Sequence, residues 1–215
     1  MKNLIYKELK LVIAPFMYMF PLLSALLLVP DYPYAVSLSY CIYGIFVVFN
    51  MSQVNKDLEF TANLPIPRSY IVYSKYVTVI YLELVQILVA IPCALITDFV
   101  TNTSGNLVGM DANFAFFGIG FIGYGIFNAV FLPGYFKTGY KLMWPLVKSL
   151  TVYVLFVVAT ELVIAFTPAK GVIDGLSPEN MPIRLAVLFV GIVIYIVLNL
   201  LSSKKAVKNF QAVNI

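Results

Sequence analysis

The sequence predicts an all-α, polytopic membrane protein with six transmembrane helices in a single domain. Of its 215 residues, 61% are hydrophobic and only 11% are charged, and the mean hydropathy is +0.93. This composition is too apolar for a soluble domain. At about 20 residues per span, the apolar segments fill six helices and leave no room for a separate soluble domain. The apolar runs are continuous rather than alternating, which argues against a β-barrel.

The distribution of basic residues predicts the orientation in the membrane. With a cytoplasmic N-terminus and six spans, only Lys170 and Arg184 of the 14 lysines and arginines fall outside. The others fall on the cytoplasmic side: Lys2, Lys7, Lys10, Lys56, Arg68, Lys75, Lys137, Lys141, Lys148, Lys204, Lys205 and Lys208. This bias follows the positive-inside rule and predicts that both termini are cytoplasmic. The same bias explains why the chain is rich in lysine, so binding to nucleic acid is not needed as an explanation.

Residues 1–10 predict a helix that lies along the membrane interface. Leu4, Ile5 and Leu9 fall on one side of this helix, and the lysines fall largely on the other. Such a division is typical of an amphipathic interfacial helix. The alternative is a plain charged flank of the first span. A cleavable signal is not predicted, because the apolar run that follows has the length of a full span.

Three spans form the first half of the chain. They are predicted at residues 11–29, 34–51 and 70–97. Pro15 and Pro21 predict a kink in the first span. Residues 30–33 predict a tight outer turn. The third span would measure about 42 Å at 1.5 Å per residue, which exceeds the hydrocarbon core, so its first turns should project into the cytoplasm.

Three further spans form the second half. The predicted elements are spans at 113–132, 142–166 and 183–201, an outer segment at 167–182 and a basic tail at 202–215. The outer segment predicts a short helix or a re-entrant turn. Glycines in the fourth span predict close approach of a neighbouring helix: Gly118, Gly120, Gly123 and Gly125. Pro133 and Gly134 predict the end of this span, because proline lacks the N–H group that continues a helix.

Residues 55–76 are the longest stretch that is not membrane-apolar. Residues 56–60 predict a short amphipathic helix, and the prolines within 64–67 must end it. Ser69 can then cap a new helix that begins at Tyr70. A short helix held between two spans by a proline hinge is suited to receive force from a soluble partner. The alternative is an ordinary solvated loop.

Several chemistries are excluded by what the sequence lacks. It contains no histidine, and Cys41 and Cys93 stand alone within predicted spans. A histidine-ligated zinc or iron site and a histidine-based nucleophilic dyad therefore cannot be built. Residues 134–141 resemble a phosphate loop superficially, but Tyr140 stands where the motif requires lysine. If ATP drives the protein, another subunit must bind it.

Two acidic residues, Glu83 and Glu161, fall within predicted spans. Ionisable groups at this depth are costly and usually face a bundle interior or an aqueous cavity. Each belongs to a stripe of polar side chains at helical spacing. The candidate translocation path consists of Tyr73, Tyr76, Glu83 and Gln86 on the third span and Tyr153 and Glu161 on the fifth. The alternative is interhelical hydrogen bonding, or a carboxyl group kept neutral by desolvation.

The order of these parts resembles the type-two permease family of ATP-binding-cassette (ABC) exporters. The basic amphipathic start, two spans, a charged helix and four more spans carry the resemblance over the whole chain. Its most specific segment is Leu64-Pro65-Ile66-Pro67-Arg68, followed by Ile71-Val72 and Lys75-Tyr76. The resemblance implies an elbow helix at residues 2–10 and a coupling helix at 55–68 that docks on the ATPase. The implied coupling residues are Lys56, Asp57, Leu58, Glu59, Phe60, Asn63, Leu64, Pro65 and Arg68.

The resemblance also implies the partners. Two copies of the chain would form a twelve-helix homodimer in the lipid membrane. Two separate ATPase subunits, which carry the ATP and Mg²⁺, would bind this dimer on its cytoplasmic side. The small size is similar to that of the exporters of phenol-soluble modulins in staphylococci and other Firmicutes. This implies export of amphipathic or hydrophobic peptides across a Gram-positive plasma membrane.

Two hypotheses from other classes remain open. The chain could be a membrane-embedded immunity or binding protein that works without energy coupling. It could also be a secondary transporter driven by protons through Glu83.

Overall fold

The computed structural model of the protein describes residues 1–29, 32–100, 106, 108–139, 141–175 and 177–213, with only the backbone for 98–100. The chain is 84% helical, and no strand occurs in these ranges. The predicted all-α class is therefore confirmed. Half of the predicted turn at 30–33 lies outside the described residues, as do residues 101–105 and 107 before the fourth span.

The chain begins with a helical rod that turns sharply into the first membrane segment. Helix α1 (Lys2–Lys7) continues as a π-helical turn (Glu8–Val12). This rod is bent by 83° from the segment Pro15–Leu28, which consists of 3₁₀ turns around the short helix α2 (Met19–Leu22). The bend arises because Ala14 is extended, as the residue before a proline prefers. The rod thus passes the predicted end at residue 10, and the next helical segment starts at Pro15.

Two long helices enclose a short one in the next part of the chain. They are α3 (Tyr34–Val54), α4 (Asp57–Ala62) and α5 (Arg68–Val100). Lys56 adopts a left-handed conformation with φ 51°, which reverses the chain between α3 and α4. A tight turn follows α4, in which the Ile66 N–H group donates to the Leu64 carbonyl at 2.7 Å. Helix α4 therefore occupies the position predicted for the short amphipathic helix.

The second half of the described chain contains three long helices and a short connecting segment. These are α6 (Phe114–Lys137), α7 (Met143–Phe166), α8 (Lys170–Ile173), a 3₁₀ turn (Pro178–Asn180) and α9 (Met181–Gln211). Helix α9 continues through most of the predicted tail.

The predicted end of the fourth span at Pro133 and Gly134 is wrong, because α6 passes through both residues to Lys137. The last turn is held by aromatic packing: Tyr135 lies edge-on to Phe49 at 4.9 Å, and Phe136 lies against Phe210. The Pro133 carbonyl also accepts a hydrogen bond from the Asn209 side chain at 2.8 Å. Neighbouring helices can compensate for proline inside a membrane helix in this way.

Five helices of the described chain are long and apolar enough to cross a membrane, and the bent N-terminal pair would be a sixth. Helix α6 lies at the centre and packs along α9. Gly118 and Gly191 meet there so closely that a Cβ atom on Gly118 would lie 2.6 Å from the Val187 carbonyl oxygen. The predicted close helix approach at the α6 glycines is confirmed.

The bundle has two ends of different character. Lys7, Lys75, Arg68 and the C-terminal part of α9 meet near α4, and we call this the lysine-rich end. At the opposite end, the Asn113 side chain donates to the carbonyls of Ile173 and Gly175. These contacts bring the segment before α6 against the segment before α9.

Candidate functional site

A buried cluster of charges lies beneath α4 at the lysine-rich end. The Lys75 ammonium group, with its side chain only 1% exposed, donates to Glu8 Oε2 at 2.8 Å, Ser52 Oγ at 3.0 Å and Asp57 Oδ2 at 3.2 Å. These partners belong to the N-terminal rod, α3 and α4, respectively. A buried lysine is stable only when paired and hydrogen-bonded. The cluster therefore joins α5 to three other elements at one point.

Lys7 extends this cluster to the outer side of α4. Its ammonium group lies 2.7 Å from Asp57 Oδ1 and 2.8 Å from Thr61 Oγ1. Burial alone would raise the pKa of Asp57, but the charges and hydrogen bonds of Lys75 and Lys7 outweigh burial and hold that pKa below its ordinary value. Asp57 is therefore ionised at neutral pH, and its stabilising effect is lost only in acid.

The tip of the hairpin between α3 and α5 is exposed. Phe60 is 68% exposed although it is a large apolar side chain, and Leu64 and Val54 beside the same turn are also exposed. Lys56, Asn63 and Pro65 share this exposed surface. We call Val54, Lys56, Phe60, Asn63, Leu64 and Pro65 the hairpin surface. An exposed apolar patch among polar residues is typical of a protein-binding site.

The other predicted coupling residues lie differently. Leu58 is buried in the core, Asp57 belongs to the charge cluster, and Glu59 is half-buried. The Arg68 guanidinium donates to the carbonyls of Phe210 and Val213 at 3.1 and 2.6 Å and lies over the Phe210 ring. Arg68 thus anchors the C-terminal end of α9 to the start of α5.

The sequence pattern did not predict the residues that hold α4 against the bundle. No contact with Asp57 was expected for Lys7, Glu8, Ser52, Thr61 or Lys75. One signal was available: Lys75 follows Ile71-Val72 on an apolar stretch, and a lysine there needs a carboxylate partner. Which carboxylate it would meet depended on the folding of the N-terminal rod.

A second polar cluster surrounds Glu83 inside the bundle. Its Oε2 atom accepts hydrogen bonds from the Tyr195 hydroxyl at 2.5 Å and from Asn128 Nδ2 at 3.1 Å. Asn128 Nδ2 also donates to Asn199 Oδ1 at 3.2 Å. Glu83 therefore joins α5 to α6 and α9. Its Oε1 atom is buried without a hydrogen-bond partner among the described residues.

Gln86 shares a helix with Glu83 but contacts a different part of the bundle. Its side-chain amide donates to Ser24 Oγ at 2.7 Å and to the Ser37 carbonyl at 3.0 Å. Gln86 thus connects α5 with the first membrane segment and α3. Tyr76 is buried on the same helix, and Tyr73 is half-buried.

Tyr153 and Glu161 both lie on α7. They line a cavity of about 30 Å³ against α3 and α6, which is large enough for about one water molecule. The Tyr153 hydroxyl lies 3.1 Å from Ser39 Oγ, and Glu161 Oε2 accepts from the Met110 N–H group at 3.2 Å. None of the four predicted path residues on α5 lines this cavity. This cavity thus contains only the α7 residues of the predicted path.

A family model described as ABC-2 family transporter protein matches residues 3–211. The chain belongs to this family. It is thus a multi-pass ABC-2 permease, and membership implies an ABC ATPase partner. No curated protein matches this ABC-2 permease, and no solved structure does. The predicted resemblance to type-two ABC permeases is confirmed at the level of the family.

Proposed function

We propose that this ABC-2 permease is the membrane half of an exporter whose separate ATPase docks on the hairpin surface. The lysine-rich end would face the cytoplasm, in keeping with the positive-inside rule. Two permeases and two ATPases would form the working complex, with ATP and Mg²⁺ held by the ATPases. The observation that carries the proposal is Phe60, an exposed aromatic side chain on a rigidly mounted hairpin.

The charge cluster supports a mechanical role for this hairpin. A force applied to α4 would reach α3 through Ser52, α5 through Lys75 and the N-terminal rod through Glu8. Because the cluster is buried and multiply bonded, these elements should move together rather than slide. ATP-driven closure of two ATPases could thereby tilt the spans next to α4. Asp57 and Leu58 would hold α4 in place, while Phe60 and Leu64 would contact the ATPase.

The substrate we propose is an amphipathic or hydrophobic peptide of the modulin type, exported across a Gram-positive plasma membrane. The polar side chains at Tyr73, Tyr76, Glu83, Gln86, Tyr153 and Glu161 would line an interior translocation path. Support for this comes from the high content of aromatic residues and from the small share of the described chain that lies outside helices. Polar groups spaced along apolar helices suit a substrate that has both kinds of surface.

The docking proposal is tested by Phe60→Ala. Truncating an aromatic anchor at an interface centre typically costs more than about 1 kcal/mol. We therefore expect about a tenfold loss of copurified ATPase and a matching loss of permease-stimulated ATP hydrolysis. The matched control is Phe166→Ala, because Phe166 is also largely exposed but lies at the far end of α7. Unchanged binding and turnover in Phe60→Ala would refute docking at this surface.

A second candidate function is proton-coupled transport through Glu83. The observation that favours it is the buried, unpartnered Oε1 atom, together with the lack of any salt bridge to Glu83 in the described part of the chain. The two functions separate in proteoliposomes that contain permease and ATPase. Transport that needs ATP but no pH gradient favours the exporter, and the reverse favours the proton-coupled transporter.

A further inference from the structure

A largely apolar cavity of about 440 Å³ lies between α5, α6 and α9 towards the end of the bundle opposite the lysines. Its α9 wall extends from Met181 to Ile192, which is about 16 Å of helix rise, and the part from Arg184 to Ile192 measures about 12 Å. Ile87 and Phe121 line its deeper part on the other two helices. The volume falls within the range of about 300–1,000 Å³ that is typical of small-molecule sites. The predicted translocation residues do not line it.

A buried cation stands at the shallow part of this cavity. Arg184 is only 3% exposed, and its terminal nitrogens donate to the carbonyls of Ser177 and Asp174 at 2.9 and 3.1 Å. Its Nε atom is buried and has no hydrogen-bond partner among the described residues. An unpaired N–H group on a buried charge is costly. Arg184 therefore has the capacity to donate one more hydrogen bond to an acceptor, preferably an anion.

The acidic residues near Arg184 do not neutralise it directly. The Asp174 carboxylate accepts from the backbone N–H groups of Asp111 and Gly175, both at 2.9 Å. The Asp111 carboxylate accepts from the Asn106 N–H group at 2.6 Å. No salt bridge to Arg184 occurs in the described ranges of the chain. Among the residues that the structure describes, the positive charge next to the cavity thus has no carboxylate in contact with it.

The cavity opens onto an apolar outer surface. Leu95 on α5 and Met181 on α9 line the cavity and are also exposed on the surface of the bundle. Because both helices are membrane spans, lipid chains would meet this opening. A ligand that enters from the bilayer therefore needs an apolar body, and its anionic group would be attracted to Arg184.

The lining of the cavity favours an acyl chain over a peptide. An extended peptide would leave its amide groups unsatisfied along the deeper walls, where Ile87, Ala94, Phe121 and Leu188 offer no polar side-chain atoms. An acyl chain has no polar groups to satisfy.

We propose that this cavity binds one acyl chain of an anionic phospholipid, whose phosphate accepts a hydrogen bond from Arg184 Nε–H. The chain would lie along α9 between Arg184 and Ile192. The site is separate from the hairpin surface and needs no ATPase. Its function would be to retain a specific lipid at the end of the bundle opposite the lysines.

The test is native mass spectrometry of the full-length protein in detergent, with phosphatidylglycerol and phosphatidylcholine that carry the same acyl chains. We expect one phosphatidylglycerol to bind about tenfold more tightly than phosphatidylcholine. Both lipids offer the phosphate, but the choline cation of phosphatidylcholine cancels the attraction of its headgroup to the Arg184 charge. Arg184→Gln should abolish this preference, and Arg184→Lys should keep most of it. If Arg184→Gln prefers phosphatidylglycerol over phosphatidylcholine as strongly as the unmodified protein does, the proposal is overturned.

A second variant tests the acyl chain without touching the charge. Ala94→Phe places a ring in the cavity and should reduce the binding of both phospholipids about tenfold. Its matched control is Leu88→Phe, because Leu88 lies on the same helix, is largely exposed and does not line the cavity. Unchanged binding in Ala94→Phe would refute the acyl-chain site. Displacement of phosphatidylglycerol by equimolar palmitate would overturn the assignment to a phospholipid.

Discussion

At the scale of single residues, Lys75 has the most demanding environment at the lysine-rich end. Two carboxylates and one hydroxyl surround its ammonium group, and hardly any of the side chain reaches solvent. Desolvation of such a group is compensated only while all partners stay in place. Removal of one charge therefore leaves the others buried without compensation.

We predict that Lys75→Met lowers the stability of the purified protein by about 3–5 kcal/mol, the usual loss when one partner of a buried ion pair is removed. The measurement is reversible unfolding in mixed detergent micelles. Adding Glu8→Leu to Lys75→Met should restore part of this loss, because the buried carboxylate is then gone as well. If the single variant unfolds like the unmodified protein, Lys75 is solvated and the cluster does not join the four elements.

At the scale of elements, the packing of α6 on α9 determines the centre of the fold. Gly118 on α6 faces the backbone of α9 at Val187 and Leu188, and Gly191 faces Gly118 in return. Without a hydrophobic effect between helices in lipid, such close backbone contact supplies much of the association energy through van der Waals packing. A side chain at either position must push the helices apart.

Gly118→Ala should therefore destabilise the bundle by about 1–3 kcal/mol, as overpacking generally does. Gly171→Ala is the matched control, because a Cβ atom there would meet nothing within 4 Å. Comparing the unfolding of the two variants separates the packing effect from the general preference of helices for alanine. Equal stability of both variants would contradict the close approach of α6 and α9.

At the scale of the whole molecule, the two ends of the bundle differ in charge. Twelve of the 14 basic residues belong to segments assigned to one side, which the positive-inside rule places in the cytoplasm. Asn63 on the hairpin surface and Lys170 at the start of α8 are both exposed and represent opposite ends. They therefore report the orientation directly.

In a background that lacks Cys41 and Cys93, we predict that Lys170→Cys reacts with a membrane-impermeant maleimide on intact cells. Asn63→Cys should react only after permeabilisation. The measurement is the mass shift of the labelled protein, and labelling after permeabilisation serves as the control for exposure. Labelling of Asn63→Cys on intact cells would reverse the orientation and exclude an ATPase partner at the hairpin surface.

The sequence by itself determined the features that depend on local chemistry. Continuous apolar runs predicted an all-α bundle of membrane spans, prolines predicted the bend near Pro15, and the charged stretch after α3 predicted α4. Each follows from hydropathy or backbone geometry within one segment. The resemblance carried by residues 64–76 was sufficient to predict the family.

Only the tertiary structure decided which neighbour each polar side chain meets. Glu83 and Gln86 belong to one predicted stripe, yet Glu83 bonds to α6 and α9 while Gln86 bonds to α3 and the first membrane segment. Helical spacing indicates that two side chains lie near one face of a helix. It does not indicate their partners, which come from segments that are distant along the chain. The cavity beside Arg184 is a space between three helices. It therefore arises from their packing, and the pattern of any one helix could not have revealed it.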